Sequence, residues 1–285
     1  MNYRHGFHAG NHADALKHSL LLALCDALTA KPAPLFALDT HAGAGLYALD
    51  DEQAQRTGEA AGGIGRLQAA SATEPALARY LEAVAACRAA CGPEAYPGSP
   101  WLLAHALRVQ DRIACCELSE EEAARLRRAL GADPRVAIHV RDGYAAMRAL
   151  LPPRIGGERF GRGLILIDPP YEAQLDEFGI ALDAIRDGLA RWPQAVVALW
   201  YPIKRRSALM PVYRAAAALD ARSALRCELL VRADDSPLRM NGSGLLVLNP
   251  PWRFDATAAG IVAALCAALG EPGGSWRCDW LRAPA

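Results

Sequence analysis

Eight cysteines occur among the 285 residues, yet no two form a Cys-x-x-Cys pair and none has the spacing of a zinc module. That excludes a zinc finger or a thioredoxin-type redox site. Cys87 and Cys91 sit four apart on an expected helix and Cys115-Cys116 inside an expected strand, the placement of reduced core thiols. Net charge is absent as well, with 31 basic residues balancing 31 acidic ones, so no protein-wide field draws the chain to nucleic acid or membrane. Lysine is scarce. Three of the basic residues are Lys and the others Arg, the better fork for phosphate, which leaves room for a local basic patch. No uncharged apolar run is long enough to span a bilayer, and the first residues lack the apolar core of a secretion signal. A cytoplasmic protein with no membrane partner is expected.

What is present suffices for a large core: 52% of residues are hydrophobic and 22% charged, ordinary for a globular chain. One domain over residues 1–285 is expected. Its centre is Gly163-Leu164-Ile165-Leu166-Ile167-Asp168-Pro169-Pro170-Tyr171. Four aliphatic residues in a row read as a short strand buried on both faces. The two prolines end it by removing backbone donors and extending the chain. One carboxylate and one aromatic ring are then left at the carboxyl end of a central strand, where open α/β sheets place their ligands. Such a turn suits a planar amine. Asp168 and the Pro169 carbonyl can accept the two hydrogens of an exocyclic NH2 while Tyr171 stacks on the ring that carries it. The plainer alternative is an Asp at a strand end followed by a Pro-Pro loop.

Upstream, residues 1–12 are rich in histidine and precede a helix from about Ala13 to Ala30, with Leu16, Leu20, Leu24 and Leu28 on one face. His8 and His12 have the spacing of two metal ligands, but Gly6 and Gly10 and the lack of a third ligand argue against a metal. Leu35 to Thr40 reads as a strand, followed by His41-Ala42-Gly43-Ala44-Gly45. The third glycine of a dinucleotide fingerprint is missing, which disfavours a nicotinamide cofactor. A glycine loop without a pyrophosphate to cradle, near strand-end acids, is the pattern for S-adenosylmethionine. The next strand is delayed. Residues 46–110 carry two helical patterns, Ala76 to Ala90 and Trp101 to Val109, and read as a helical subdomain inserted between the first and second strands.

Arg112 to Glu117 supplies that second strand, and Ser119 caps a helix to Leu130 with Glu122 as capping-box partner. Val136 to Val140 is the third strand, ending at Arg141-Asp142-Gly143. Glu117 and Asp142 then share a sheet edge with Gly43 and Asp168, placed for the ribose and the adenine amine of the cofactor. A helix is expected from Leu175 to Trp192, a fifth strand from Ala195 to Pro202, and a helix from Met210 to Leu219. Arg226 to Val231 and Ser243 to Leu248 lack a crossover helix between them and should pair antiparallel. The fold class is therefore α/β: a Rossmann-like class I methyltransferase with a seven-stranded mixed sheet. Asn249-Pro250-Pro251-Trp252 repeats the pattern of the catalytic turn. It follows the seventh strand, too late for the strands that normally come after a catalytic turn, so Asn249 is expected to be structural.

Several blocks resemble the bacterial RlmJ family: Tyr-Arg-His-x-Phe-His-Ala-Gly-Asn-His-Ala-Asp-x-Leu-Lys-His, Asp-Thr-His-Ala-Gly-Ala-Gly, Tyr-Pro-Gly-Ser-Pro, Leu-Ile-Asp-Pro-Pro-Tyr-Glu, Leu-Trp-Tyr-Pro and Asn-Pro-Pro-Trp. The resemblance implies methylation of the exocyclic N6 of one adenosine in 23S ribosomal RNA, free or in an assembly intermediate, by an S-adenosylmethionine-dependent monomer. It also implies that His18, His41, Ser99, Glu117, Asp142 and Gly143 line the cofactor site, that Asp168 is catalytic, and that Tyr3 and Lys17 lie near the RNA. Tyr3, Arg4, His5 and Lys17 gather cations and a ring that could hold phosphates and stack a base. The segment 150–162, with Arg154, Arg159 and Arg162, is longer than expected for the family. Two rivals are a DNA adenine-N6 methyltransferase, disfavoured by the small insertion, and a non-catalytic nucleic-acid-binding protein with a vestigial cofactor fold.

Overall fold

The computed structural model describes residues 5–70, 75–155, 157–171, 174–237 and 240–284. Eight strands form one sheet: β1 (Phe36–Asp39), β2 (Arg112–Glu117), β3 (Val136–Val140), β4 (Gly163–Ile167), β5 (Val196–Ile203), β6 (Ala224–Leu230), β7 (Gly242–Leu248) and β8 (Ser275–Arg282). Their order across the sheet is β8-β6-β7-β5-β4-β1-β2-β3. The first five strands are parallel, and β7, β6 and β8 add antiparallel neighbours. Strand β1 pairs with β4 on one side, Asp39 opposite Leu166, and with β2 on the other, Asp39 opposite Cys115. The chain order reverses between β1 and β4, which makes their carboxyl ends the switch point where such sheets hold ligands.

The aliphatic runs are continuous because both faces are covered. Leu164 and Leu166 enter one core and Ile165 and Ile167 the other, the period-2 alternation of a strand buried on both sides. On one face lie α1 (His12–Thr29), α2 (Pro75–Cys91), α3 (Ser99–Ala106), α4 (Glu120–Leu130) and α8 (Phe254–Leu269). On the other lie α5 (Gly143–Leu150), α6 (Gln174–Arg191) and α7 (Met210–Ala217). Helix α1 starts where Asn11 Oδ1 accepts from the backbone N–H groups of Ala13 and Asp14, at 2.9 and 3.0 Å, an N-cap of the preferred type. It packs against α8, α2, α3 and β7, so its polar residues as well as its leucines are buried.

Between β1 and β2 the chain forms a two-stranded ribbon, Leu46–Ala48 with Ala95–Pro97, and, in order, a helix Glu52–Thr57, a π-turn Ala61–Gly65, α2 and α3. The π-turn is tied to the segment before α1 by a bond from the Ile64 N–H to the Gly10 carbonyl, 2.8 Å.

The count of seven strands is corrected by β8, which pairs antiparallel with β6 along its length. This strand is half-exposed and carries Arg277, Asp279 and Arg282, so it shows no aliphatic run to read. Besides this ladder, Trp280 and Leu281 pack on the two cores, Arg226 Nη2 lies 2.7 Å from Asp279 Oδ2, and Arg277 Nε lies 3.2 Å from the buried Glu228. Segment 150–162 contains a short antiparallel ribbon, Arg154–Ile155 with Glu158–Arg159.

Candidate active site

The turn after β4 carries Asp168 into contact with α1. Lys17 Nζ donates to Asp168 Oδ2 at 2.5 Å and lies 3.0 Å from Asp14 Oδ1. Asp14 is fixed in turn, its Oδ2 accepting from the Gly10 N–H at 2.9 Å. Burial acts to lower the pKa of Lys17, but the Asp14 and Asp168 carboxylates outweigh it and hold the ammonium well above its ordinary value. The side chain is a permanent cation between two acids, 4% exposed. Lys17 stands on the face of α1 turned toward the carboxyl edge of the sheet and lines the cavity over the turn that carries Asp168. Tyr171 donates its hydroxyl to the Trp200 carbonyl at 2.7 Å, and its ring packs against Phe178 with 5.0 Å between centroids. That fixes the plane of the ring beside Pro169 and Pro170.

A second group of residues lines the same sheet edge at β1, β2 and β3. Gly43 has φ +59, and a Cβ there would lie 2.3 Å from the Tyr47 hydroxyl, so only glycine brings the backbone in this close. Its N–H donates to Glu117 Oε2 at 2.9 Å, while Glu117 Oε1 accepts from the Ser119 N–H at 2.7 Å. Two backbone donors thus orient one carboxylate and leave it lone pairs to spare. Asp142 caps α5, its Oδ1 accepting from the Ala145 N–H at 2.6 Å, and is otherwise exposed. Gly143 lies against the Thr40 carbonyl, which an added Cβ would meet at 2.0 Å. His41 Nδ1 is 2.7 Å from Thr40 Oγ1, and its ring stands edge-on to Tyr144. Burial pushes His41 down to about 4, so its imidazole is neutral.

Ser99 donates to Asp39 Oδ2 at 2.6 Å. Asp39 is a site residue that reading the chain missed, although an acid immediately before a glycine loop was a usable signal. Burial pushes its carboxyl up to about 6, against the Ser99 hydrogen bond. His18 follows Lys17 on α1. It is fully buried, with Nδ1 3.0 Å from the Tyr96 hydroxyl, which in turn lies 2.8 Å from the Tyr80 hydroxyl. Its Nε2 lies 3.7 Å from Asp14 Oδ1, the same oxygen that meets Lys17.

Asn249 stands at the far edge of the sheet. Strand β7 runs antiparallel to β5 with Leu248 opposite Val197, so its carboxyl end meets the amino ends of the parallel strands. Asn249, at φ 52, donates to the Pro193 and Ala195 carbonyls at 3.0 and 2.9 Å and accepts from the Arg222 N–H at 2.8 Å. It is a buried latch between loops.

A cavity of about 620 Å³ opens over the turn after β4, bounded by Asp168, Tyr171, His12, Glu59, Arg232 and Glu271 among others. Its outer acids are paired, while Arg66 of the same lining donates to the Leu269 carbonyl at 3.2 Å. His8 and Asn11 both bond Glu59, at 3.0 and 2.8 Å, and Arg232 bonds Glu271 at 3.0 Å. Glu59 raises the pKa of His8 through their hydrogen bond. Among the described residues no group of three or more His, Cys, Asp or Glu could hold a metal ion, and no helix is long and apolar enough to cross a membrane. Tyr3 and Arg4 lie outside the described residues.

The family described as "Ribosomal RNA large subunit methyltransferase D, RlmJ" matches residues 32–282. The "Ribosomal RNA large subunit methyltransferase J" of Haemophilus influenzae is 37% identical over 284 residues, 99% of each chain. Its Escherichia coli namesake is 38% identical over 255 residues, 90% of this chain and 89% of that one. The crystal structure of a Legionella pneumophila protein, 30% identical, superimposes with a TM-score of 0.84 over 96% of this chain and 98% of that one.

Proposed function

The chain belongs to the RlmJ family of large-subunit ribosomal RNA methyltransferases, and we propose that it methylates the exocyclic N6 of one adenosine in 23S ribosomal RNA. S-adenosylmethionine is the methyl donor, and when bound it supplies an electrophilic methyl group on a sulfonium. The residues at the edge fit that group chemically: Glu117 and Asp142 are carboxylate acceptors suited to ribose hydroxyls and an adenine amine. The backbone at Gly43 and Gly143 leaves no Cβ in the way, and the acids Asp39 and Asp168 favour a cation between them.

One observation carries the reading. Asp168 stands where the cofactor edge and the cavity meet, with one oxygen held by Lys17 at 2.5 Å. The other oxygen, together with the Pro169 carbonyl, is left for the two hydrogens of the target amine. Holding both favours a pyramidal nitrogen whose lone pair points at the methyl group, and positioning of this kind supplies most of the rate. Lys17 holds Asp168 in place. Tyr171 offers the surface that replaces the stack a flipped adenine leaves. Tyr3 and Arg4, at the start of the chain, are assigned to the RNA. A ribosomal substrate puts the enzyme in the cytoplasm, where it acts as a monomer.

The test is nucleoside mass spectrometry of 23S RNA from a strain lacking the protein, complemented by wild type or by Asp168→Ala. One N6-methyladenosine should disappear, returning with the wild type alone. An unchanged nucleoside profile would remove the proposal, and methyl transfer to DNA in vitro without transfer to RNA would favour the DNA rival.

A further inference from the structure

His12 belongs to neither the catalytic turn nor the cofactor edge, yet its ring lines the cavity over Asp168. It is the first residue of α1, on the same helix as Lys17 and five residues before it, about 7.5 Å along the axis. Its Nδ1 is buried with no hydrogen-bond partner among the described residues. A buried nitrogen left that way is destabilising and asks for a partner that arrives with a ligand. Burial and the nearby Arg232 charge push His12 down to about 4, so the ring is neutral, with one nitrogen a donor and the other an acceptor. Either nitrogen can be presented by a turn about χ2.

Of the charges that act on His12, Arg232 is basic and Glu59, Glu271 and Asp14 are acidic, an excess that disfavours a phosphate at the ring. Glu59 and Glu271 border the cavity, and each is already tied, to His8 with Asn11 and to Arg232 respectively. A neutral ring among compensated charges suits an uncharged group that both gives and takes a hydrogen bond. With the amine end of adenine held at Asp168, the sugar would lie within the same cavity, which His12 also lines. We propose that His12 hydrogen-bonds the ribose 2′-hydroxyl of the target adenosine and thereby makes the enzyme select RNA over DNA at that nucleotide. The 2′-hydroxyl, donor and acceptor at once, is the group that separates the two. This inference rests on Asp168 being the residue that holds the target amine.

The experiment compares methyl transfer to RNA oligonucleotides whose target adenosine, located by mass spectrometry, carries either a 2′-hydroxyl or a 2′-hydrogen. Wild type should favour the ribose form by about three- to tenfold. His12→Phe should bring that ratio to about one by slowing the ribose substrate to the level of the deoxyribose one, with no loss on the latter. His12→Gln, which keeps a donor and an acceptor, should retain part of the preference. Equal losses on both substrates, or an unchanged ratio in His12→Phe, would overturn the assignment. So would a wild type indifferent to the 2′-hydroxyl, a result that needs no variant to fold. A wild type that methylates neither oligonucleotide nor full-length 23S RNA would instead remove the reading of Asp168.

Discussion

Lys17 Nζ bridges Asp168 and Asp14, 2.5 Å from one carboxylate and 3.0 Å from the other, in a site nearly closed to solvent. The catalytic carboxylate is thereby fastened to the first helix, 151 residues away in sequence. Removing one member of a buried ionic cluster leaves the others uncompensated. Lys17→Met is therefore expected to lower kcat about 100-fold or more, with cofactor affinity little changed and the salt dependence of RNA binding unaltered. Asp168→Ala should abolish transfer. A loss confined to RNA affinity in Lys17→Met, with a flattened salt dependence, would return Lys17 to a phosphate contact.

Glu117 is oriented by the N–H groups of Gly43 and Ser119. If it holds a ribose hydroxyl of the cofactor, Glu117→Ala should weaken S-adenosylmethionine binding by about 1.5–3 kcal/mol, the range for hydrogen bonds to a charged group. Titration calorimetry measures this directly. Affinity equal to wild type would remove Glu117 from the cofactor site.

Asp39 predicts a pH dependence of stability. Burial raises its pKa from 3.8 to about 6, so the folded protein keeps the proton up to that pH. The unfolded chain releases it near pH 4. Between these values the unfolded state binds fewer protons, and stability falls as pH rises, by up to about 3 kcal/mol, levelling above pH 6. Asp39→Asn should lack this component. The Tm difference between wild type and variant, followed from pH 4 to 7, should move in the variant's favour as pH rises. A constant difference would mean that Asp39 ionises normally.

Asn249→Ala loses three hydrogen bonds to loop backbone at a left-handed position. A destabilisation of about 2–4 kcal/mol is expected, with unchanged turnover per folded molecule below the lowered Tm. A well-folded but inactive variant would reopen the choice between the two Pro-Pro turns.

Deleting residues 2–5 should reduce RNA methylation strongly while S-adenosylmethionine titration stays as in wild type, because Tyr3 and Arg4 are assigned to the RNA. Methylation at the full rate by the shortened enzyme would reduce the arm to a terminal tail.

The strands β1 to β7 were legible in the sequence because each is a short β-rich or aliphatic run with turn residues at its ends, and periodicity and punctuation are local properties. Helices α1 to α4, α6 and α7 were legible from their periodicity and caps, α1 starting within one residue of expectation at His12 behind Asn11, whereas α5 and α8 were not read. The catalytic turn was legible for the same reason: prolines after a buried run force a carboxylate to a strand end. Its double at Asn249 could also be set aside from strand order alone. Strand β8 was missed although Trp276, Cys278 and Trp280 alternate with polar residues at Arg277 and Asp279, because the strand is half-exposed and has no aliphatic run.

Tertiary structure alone decided the partners of the polar residues. Lys17 and His18 are neighbours in the chain, but a 100° step on a helix buried on every side sends one to the catalytic acid and the other to Tyr96. Asp39 gained its raised pKa from burial between adjacent strands, against the hydrogen bond from Ser99, 60 residues on. His12 came to line the cavity because α1 begins beside the turn that ends β4. Local sequence determined which backbone groups form strands and helices. Long-range packing determined which charges meet, because an ion pair or a buried hydrogen bond depends on distance in space and leaves no period in the chain.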